Sequence, residues 1–233
     1  METNHSQQTL ESMSQAVWYN QWTLKKFEVY LKGKILEVGC GIGNFTSTLI
    51  SYGEVFAIDI EKNYLHKIHK SLGNKAKVGF GDIENDKYFF NGQKFDSIVC
   101  LNILEHIEKD DLALKNIYKL LKDQGYLILL VPIHPLLYGK IDQAIGHFRR
   151  YTKEQIVSIL KSSGFNILSS RKLNFLGAVG WFIAGKILGE NRIDESKIKI
   201  FNFVAPLILS FEDLIEPPIG TSVLIIAQKL NKS

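Results

Sequence analysis

Lys34-Ile-Leu-Glu-Val-Gly-Cys-Gly-Ile-Gly-Asn44 is the stretch on which the reading of the fold turns. Ile35 to Val38 is a short apolar run of the kind that forms a buried parallel strand. It breaks at once into Gly39, Gly41 and Gly43. Glycine lets a backbone turn tightly and lets a ligand approach with no side chain in the way. A strand that ends in such a turn and feeds a helix opens a nucleotide-binding unit.

The neighbouring residues narrow the ligand. A dinucleotide fingerprint carries glycine at its sixth position, where a pyrophosphate sits on the helix N-terminus. Counting from Gly39, Asn44 stands there. Glu37 places a carboxylate beside the loop, where it repels a pyrophosphate and suits a cation. About twenty residues on, the run Val55 to Ile58 ends in Asp59, placed to accept both hydroxyls of a ribose. A ligand with a ribose, no phosphate and a positive charge is S-adenosylmethionine.

Composition sets the outer bounds. At 233 residues the chain suits one domain with a sizeable core, and 45% hydrophobic with 22% charged residues is ordinary for a globular protein. A net charge of +4 with no basic run gives no indication of a nucleic-acid partner. Cys40 sits in the glycine loop and Cys100 ends an apolar strand, so reduced thiols in the cytoplasm are expected. Met1 to Ser14 is polar and lacks the apolar core of a signal peptide.

From the N-terminus, residues 1 to 12 read as disordered. Residues 13–32 read as a helix with Val17, Trp18, Trp22, Leu24, Phe27 and Tyr30 near helical spacing. Its aromatics either pack on the sheet or, through Tyr19, Asn20 and Trp22, form a lid whose ring faces favour a sulfonium. After the glycine loop the pattern gives a helix over Phe45–Tyr52, a strand over Glu54–Ile58 and a helix over Asn63–Leu72. A strand follows over Ala76–Phe80, then Gly81, Asp82 and Ile83 at its carboxyl end. There a carboxylate can accept from an adenine amino group while an aliphatic side chain covers the ring; the alternative is a turn aspartate. Phe95–Leu101 is a fourth buried strand ending at Asn102, Leu112–Leu121 a helix, and Gly125–Val131 a fifth strand. This alternation implies a doubly wound parallel sheet.

In order and spacing, Ile35–Asn44, Phe56–Asp59, Gly81–Ile83 and Phe95–His106 resemble the motifs of class I S-adenosylmethionine-dependent methyltransferases. The resemblance covers residues 30 to 135. It implies an α/β, Rossmann-like, seven-stranded and mostly parallel sheet. The last strand, Ser222–Gln228, would run antiparallel after a hairpin from Gly164–Ser169. It assigns the methionine end of S-adenosylmethionine to Glu37, Gly39 and Gly41, the ribose to Asp59, adenine to Asp82 and Ile83, and a backbone contact to Asn102. Further cofactor contacts are expected at Tyr19, Trp22, Cys40, Asn44, Ile60 and His106. Ubiquinone-type O-methyltransferases of this superfamily bind a divalent metal through Glu-x-x-Glu-His. Here the first glutamate is Asn102, ahead of Glu105 and His106, and a hard cation wants carboxylate oxygens, so no metal is expected.

The acceptor is expected in the long loop Pro132–Thr152, which follows the fifth strand on the crevice side of the sheet. Methyl transfer to a hydroxyl needs positioning and removal of a proton. His134 and His147 are the candidate bases. Tyr138, Arg149 and Arg150 are candidate substrate contacts, the arginines as a clamp for phosphate or carboxylate. The two arginines also precede a helix start at Thr152 with Gln155 three residues on, a capping box.

Residues 173–215 form an apolar insertion broken by Gly177, Gly180, Gly185 and Pro206, too short and interrupted to span a bilayer. It reads as a helical cap, covering either the sheet alone or a lipid-like acceptor, or as a surface touching a membrane. The expectation is one methyltransferase domain over 1–233. It would be cytoplasmic with peripheral membrane contact and would act by O-methylation on a small-molecule or lipid-linked acceptor. The alternatives are a Rossmann-type oxidoreductase, disfavoured by Asn44 and Glu37, and a non-catalytic cofactor-binding subunit.

Overall fold

The computed structural model describes residues 16–187 and 195–231. The disordered reading of residues 1 to 12, the start of the 13–32 helix and the middle of the 173–215 insertion lie outside the described residues.

Eight strands form one sheet: β1 (Lys34–Val38), β2 (Glu54–Asp59), β3 (Lys77–Asp82), β4 (Lys87–Tyr88), β5 (Phe95–Leu101), β6 (Leu121–Pro132), β7 (Phe165–Leu173) and β8 (Ser222–Lys229). Their spatial order is β4-β3-β2-β1-β5-β6-β8-β7. β1 pairs parallel with β2 and β5, and β8 runs antiparallel to both β6 and β7. This is the expected seven-stranded sheet with an antiparallel last strand. It is extended by β4, two residues paired antiparallel with the end of β3.

Side-chain alternation along each strand divides the core in two. Leu36, Val38, Ile98, Cys100, Leu127 and Leu129 pack on one face, while Ile35, Val99, Ile128, Leu224 and Ile226 pack on the other. The first face is covered by α4 (Asp110–Leu120) and α6 (Lys153–Ser162). Thr152 caps α6, accepting from the Gln155 amide at 3.1 Å, and Gln155 returns the bond to the Thr152 amide at 2.8 Å, as the local sequence predicts. The first crossover is shorter than expected: α2 is a single turn, Thr46–Leu49, preceding α3 (Lys62–Leu72).

On the other face, α1 (Val17–Lys25) meets the inserted helices. Along the chain come α5 (Lys140–Ala144), then the inserted α7 (Phe175–Phe182), a π-helical turn over Ile183–Ile187, and α8 (Glu195–Phe211). The edge of the Tyr19 ring meets Phe201 with centroids 5.7 Å apart. Glu212, just past α8, accepts from the amides of Asn174 and Phe175 at 2.8 Å each and so fastens the start of α7. The outer side of α8 and its extension is apolar and exposed: Phe203 81%, Leu207 69%, Phe211 73% and Leu214 81%. Among the described residues no helix is long and apolar enough to cross a membrane.

Candidate functional site

The chain leaves β1 toward β2 and β3 on one side and returns to β5 on the other. The crevice of a doubly wound sheet therefore opens at the carboxyl ends of β1, β2 and β5. A cavity of about 840 Å³ lies there, roofed by α1 and α7 and closed by the loop around α5.

Its first half is built on the glycine loop. The amides of Gly39 and Cys40 both donate to the carbonyl of Ile58, at 2.8 and 3.0 Å, so the loop is pinned to the end of β2. Gly39, Gly41 and Gly43 all have positive φ (71°, 52° and 92°). At Gly39 a Cβ would stand 2.1 Å from Ile103 Cδ1, so backbone angle and space both require glycine. Gly39→Ala is expected to lower stability by about 1–3 kcal/mol and shift the loop, read as a drop in the thermal midpoint.

Two buried carboxylates face this half. Glu37 is 5% exposed, and Oε2 accepts from Thr46 Oγ1 at 2.5 Å. Burial pushes its carboxyl up to about 8; the Thr46 hydroxyl opposes the shift and the charge of Asp59 adds to it. Asp59 Oδ2 accepts from the Gly41 amide at 2.8 Å and Oδ1 from the Glu61 amide at 2.9 Å. Asp59 therefore clamps the glycine loop besides lining the cavity. Cys40, Asn44, Ile60, Asp82, Ile83, Asn102 and His106, the other candidate cofactor contacts from the sequence, line the same cavity. Asp82 is braced by Asn85, whose amide and side-chain nitrogen donate to its two oxygens at 3.0 and 2.8 Å. Asn102 holds a left-handed φ of 54° while its amide donates to Leu130.

The second half is centred on Asp142, which is buried in α5. Its Oδ1 accepts from His147 Nδ1 at 2.9 Å and from Arg150 Nε at 2.8 Å. Its Oδ2 accepts from the Trp181 indole at 3.3 Å and the Gly139 amide at 3.1 Å. Burial acts to raise the Asp142 carboxyl, but the hydrogen bonds and charges of His147 and Arg150 outweigh it and hold it below the usual range. An ionised carboxylate only accepts, so Nδ1 of a neutral His147 carries its proton and the Nε2 lone pair is free. That Nε2 lies 3.7 Å from Oε1 of Glu105. Glu105 is fully buried with neither carboxylate oxygen hydrogen-bonded, and burial lifts its carboxyl to about 8.

Four expected site residues lie elsewhere. Tyr19 lines the cavity, but Trp22, stacked against it at 5.8 Å between ring centroids, stays outside the lining and donates its indole N–H to Asp213 at 3.0 Å. His134 adopts a left-handed φ of 64° at the start of the Pro135–Leu137 turn and sits off the cavity. Tyr138 donates its hydroxyl to the His147 carbonyl at 2.8 Å, outside the lining. Arg149 pairs with Asp110 at 3.0 Å and with the Glu108 carbonyl, also outside it. Arg150 does line the cavity, but Asp142, the Ile133 carbonyl and the Trp181 ring hold its guanidinium, which makes it structural rather than an open clamp. Sequence reasoning missed Thr46, Asp142, Asn174 and Trp181. Only Asn174, ahead of an apolar run, carried a local signal, and its side chain does cap α7 by accepting from the Gly177 amide at 2.7 Å.

Comparison with known proteins agrees with this architecture. Residues 36–127 match the family described as a methyltransferase domain. A structure of an S-adenosylmethionine-dependent methyltransferase from Clostridium acetobutylicum superposes with a TM-score of 0.59 at 16% identity, covering 91% of each chain. Two relatives are an uncharacterised protein of Methanocaldococcus jannaschii and a ubiquinone biosynthesis O-methyltransferase of Rickettsia bellii. The first is 26% identical over 67% of this chain, the second 31% identical over 41%. The chain spans 65% of the length of the first and 40% of the second.

Proposed function

We propose that this chain, a member of the class I S-adenosylmethionine-dependent methyltransferase superfamily, transfers a methyl group from S-adenosylmethionine to a hydroxyl oxygen of a small or lipid-like acceptor. The observation that carries the donor half is the pair Glu37 and Asp59. Both line one crevice beside a glycine loop, and each lies within reach of the other's charge. Asp59 repels a pyrophosphate, and Glu37, on giving up its proton, completes with it a pair that accommodates a cationic nucleoside. Glu37 faces an ammonium, Asp59 accepts ribose hydroxyls on oxygens already fixed by backbone amides, and Ile60 and Ile83 flank a base. The bound nucleoside supplies a methyl group activated by its sulfonium charge.

The acceptor half lies between His147 and the inner sides of α7 and α8, where Leu176, Trp181, Ala184 and Phe201 line the cavity. Asp142 holds His147 with its Nε2 lone pair toward the cavity, the arrangement that lets an imidazole take a hydroxyl proton. Leu176, Ala184 and Phe201 suit an apolar acceptor. The exposed apolar side of α8 suits delivery of that acceptor from a lipid surface. The ubiquinone O-methyltransferase relative supports oxygen as the methylated atom.

Calorimetry is expected to show S-adenosylhomocysteine binding and no NAD binding. With labelled donor and a fractionated cell extract, label is expected in the lipid or small-molecule pool, with a faster rate in the presence of liposomes. NAD binding in place of S-adenosylhomocysteine would overturn the donor assignment, and label confined to nucleic acid would overturn the acceptor class.

A further inference from the structure

Glu105 and His106 leave β5 in a tight turn over Leu104–His106, and His147 reaches them from a segment some forty residues on. The Phe148 amide donates to the Glu105 carbonyl at 2.8 Å and locks the two segments together. The imidazoles of His106 and His147 meet edge to face with centroids 4.6 Å apart. One ligand atom from each of Glu105, His106 and His147 lies within 4.8 Å of the other two. All three residues line the cavity.

The geometry points to a binding site for one borderline divalent transition-metal ion, ligated by Glu105, His106 and His147, with its open positions toward the acceptor. Two observations beyond the cluster itself carry this. Glu105 is fully buried, and both its oxygens lack a hydrogen-bond partner, although buried carboxylates are normally satisfied. His147 is also oriented as ligating histidines are, its far nitrogen bonded to a carboxylate, here Asp142 at 2.9 Å. Ligand atoms held about 2.0–2.2 Å from a shared ion stand roughly 3.3–3.5 Å apart in a tetrahedral shell. The 3.7 Å between Glu105 Oε1 and His147 Nε2 is close to that spacing. Two imidazoles and one carboxylate favour zinc, cobalt or iron(II) over magnesium or calcium, which take oxygen ligands. The expectation of no metal rested on the amide at Asn102. The third ligand comes instead from His147, an imidazole on another segment.

The site bears on the proposed acceptor chemistry in one respect. An ion takes the Nε2 lone pair of His147, so with the ion seated an acceptor hydroxyl is acidified by coordination instead of by the free imidazole. The ion itself is measurable without any methyl donor. Failure of the test below leaves methyl transfer standing, and failure of S-adenosylhomocysteine to bind leaves the ion site standing.

The test is titration of the full chain with cobalt(II). One equivalent is expected to bind with visible d–d bands, to be displaced by zinc and to resist millimolar magnesium. Glu105→Gln and His147→Asn are each expected to weaken cobalt binding at least ~100-fold, and Asp142→Asn by roughly 10–100-fold through loss of the orienting bond. Paramagnetic shifts of the His106 and His147 ring protons in the unaltered protein give a reading that does not depend on any variant folding. Absence of d–d bands at a tenfold excess of cobalt, unshifted rings, or unchanged binding in either ligand variant overturns the site.

Discussion

His147→Ala is expected to slow methyl transfer to a hydroxyl acceptor by about 10²- to 10⁴-fold, the range typical of losing a positioned general base. The loss should fall on kcat, with the affinity for S-adenosylhomocysteine nearly unchanged, because His147 belongs to the acceptor half of the cavity. The imidazole is fixed by Asp142, itself anchored by Arg150, Trp181 and the Gly139 amide, so its Nε2 is aimed before any acceptor arrives. Measuring with a metal chelator present ensures that the free imidazole is the group tested. Partial rescue of His147→Ala by added imidazole separates a proton-accepting role from a packing role. An unchanged kcat under these conditions would rule His147 out as the base.

Glu37→Gln is expected to weaken S-adenosylhomocysteine binding by roughly 10–100-fold at pH 8, the worth of a hydrogen bond to a charged group. The unaltered protein should show a pH dependence that the variant lacks. With its carboxyl raised to about 8, Glu37 is protonated in the free protein at neutral pH, and pairing with the ligand's ammonium requires it to lose that proton. Affinity should therefore climb from pH 6 toward pH 8, by at most about tenfold per unit, then level off. Calorimetry in buffers of different ionisation enthalpy should register a proton released on binding. Stability of the free protein runs the opposite way. The folded state keeps the proton over a range where the unfolded chain has lost it, so the stability Glu37 contributes is complete below its ordinary carboxylate value and is lost as pH rises through about 8. Glu37→Gln should flatten that decline. A pH-independent affinity in the unaltered protein would contradict a buried, protonated Glu37.

The parts of the molecule legible in the sequence are those that local rules encode. Phe95–Leu101 is a strand with the boundaries read from its near-continuous apolar run, because a strand buried on both faces carries few polar residues, here Asp96 and Ser97 near its start. Thr152 and Gln155 cap a helix because the capping box is a contact between residues three apart. Glu37, Gly39 and Asp59 meet because strand ends in a doubly wound sheet converge wherever the strand order reverses.

What the sequence alone determined, then, is the sheet, its glycine loop and the acidic crevice that suits a sulfonium nucleoside, all set by periodicity, turn chemistry and strand order. Only the tertiary structure decided which loop residues reach the cavity. It turned His147 inward onto Asp142 and left His134 and Tyr138 outside. It also spent Arg149 on Asp110, 39 positions away, and set the buried carboxylate of Glu105 beside two imidazoles. Those choices depend on how distant segments pack, and no local pattern of side chains carries that information.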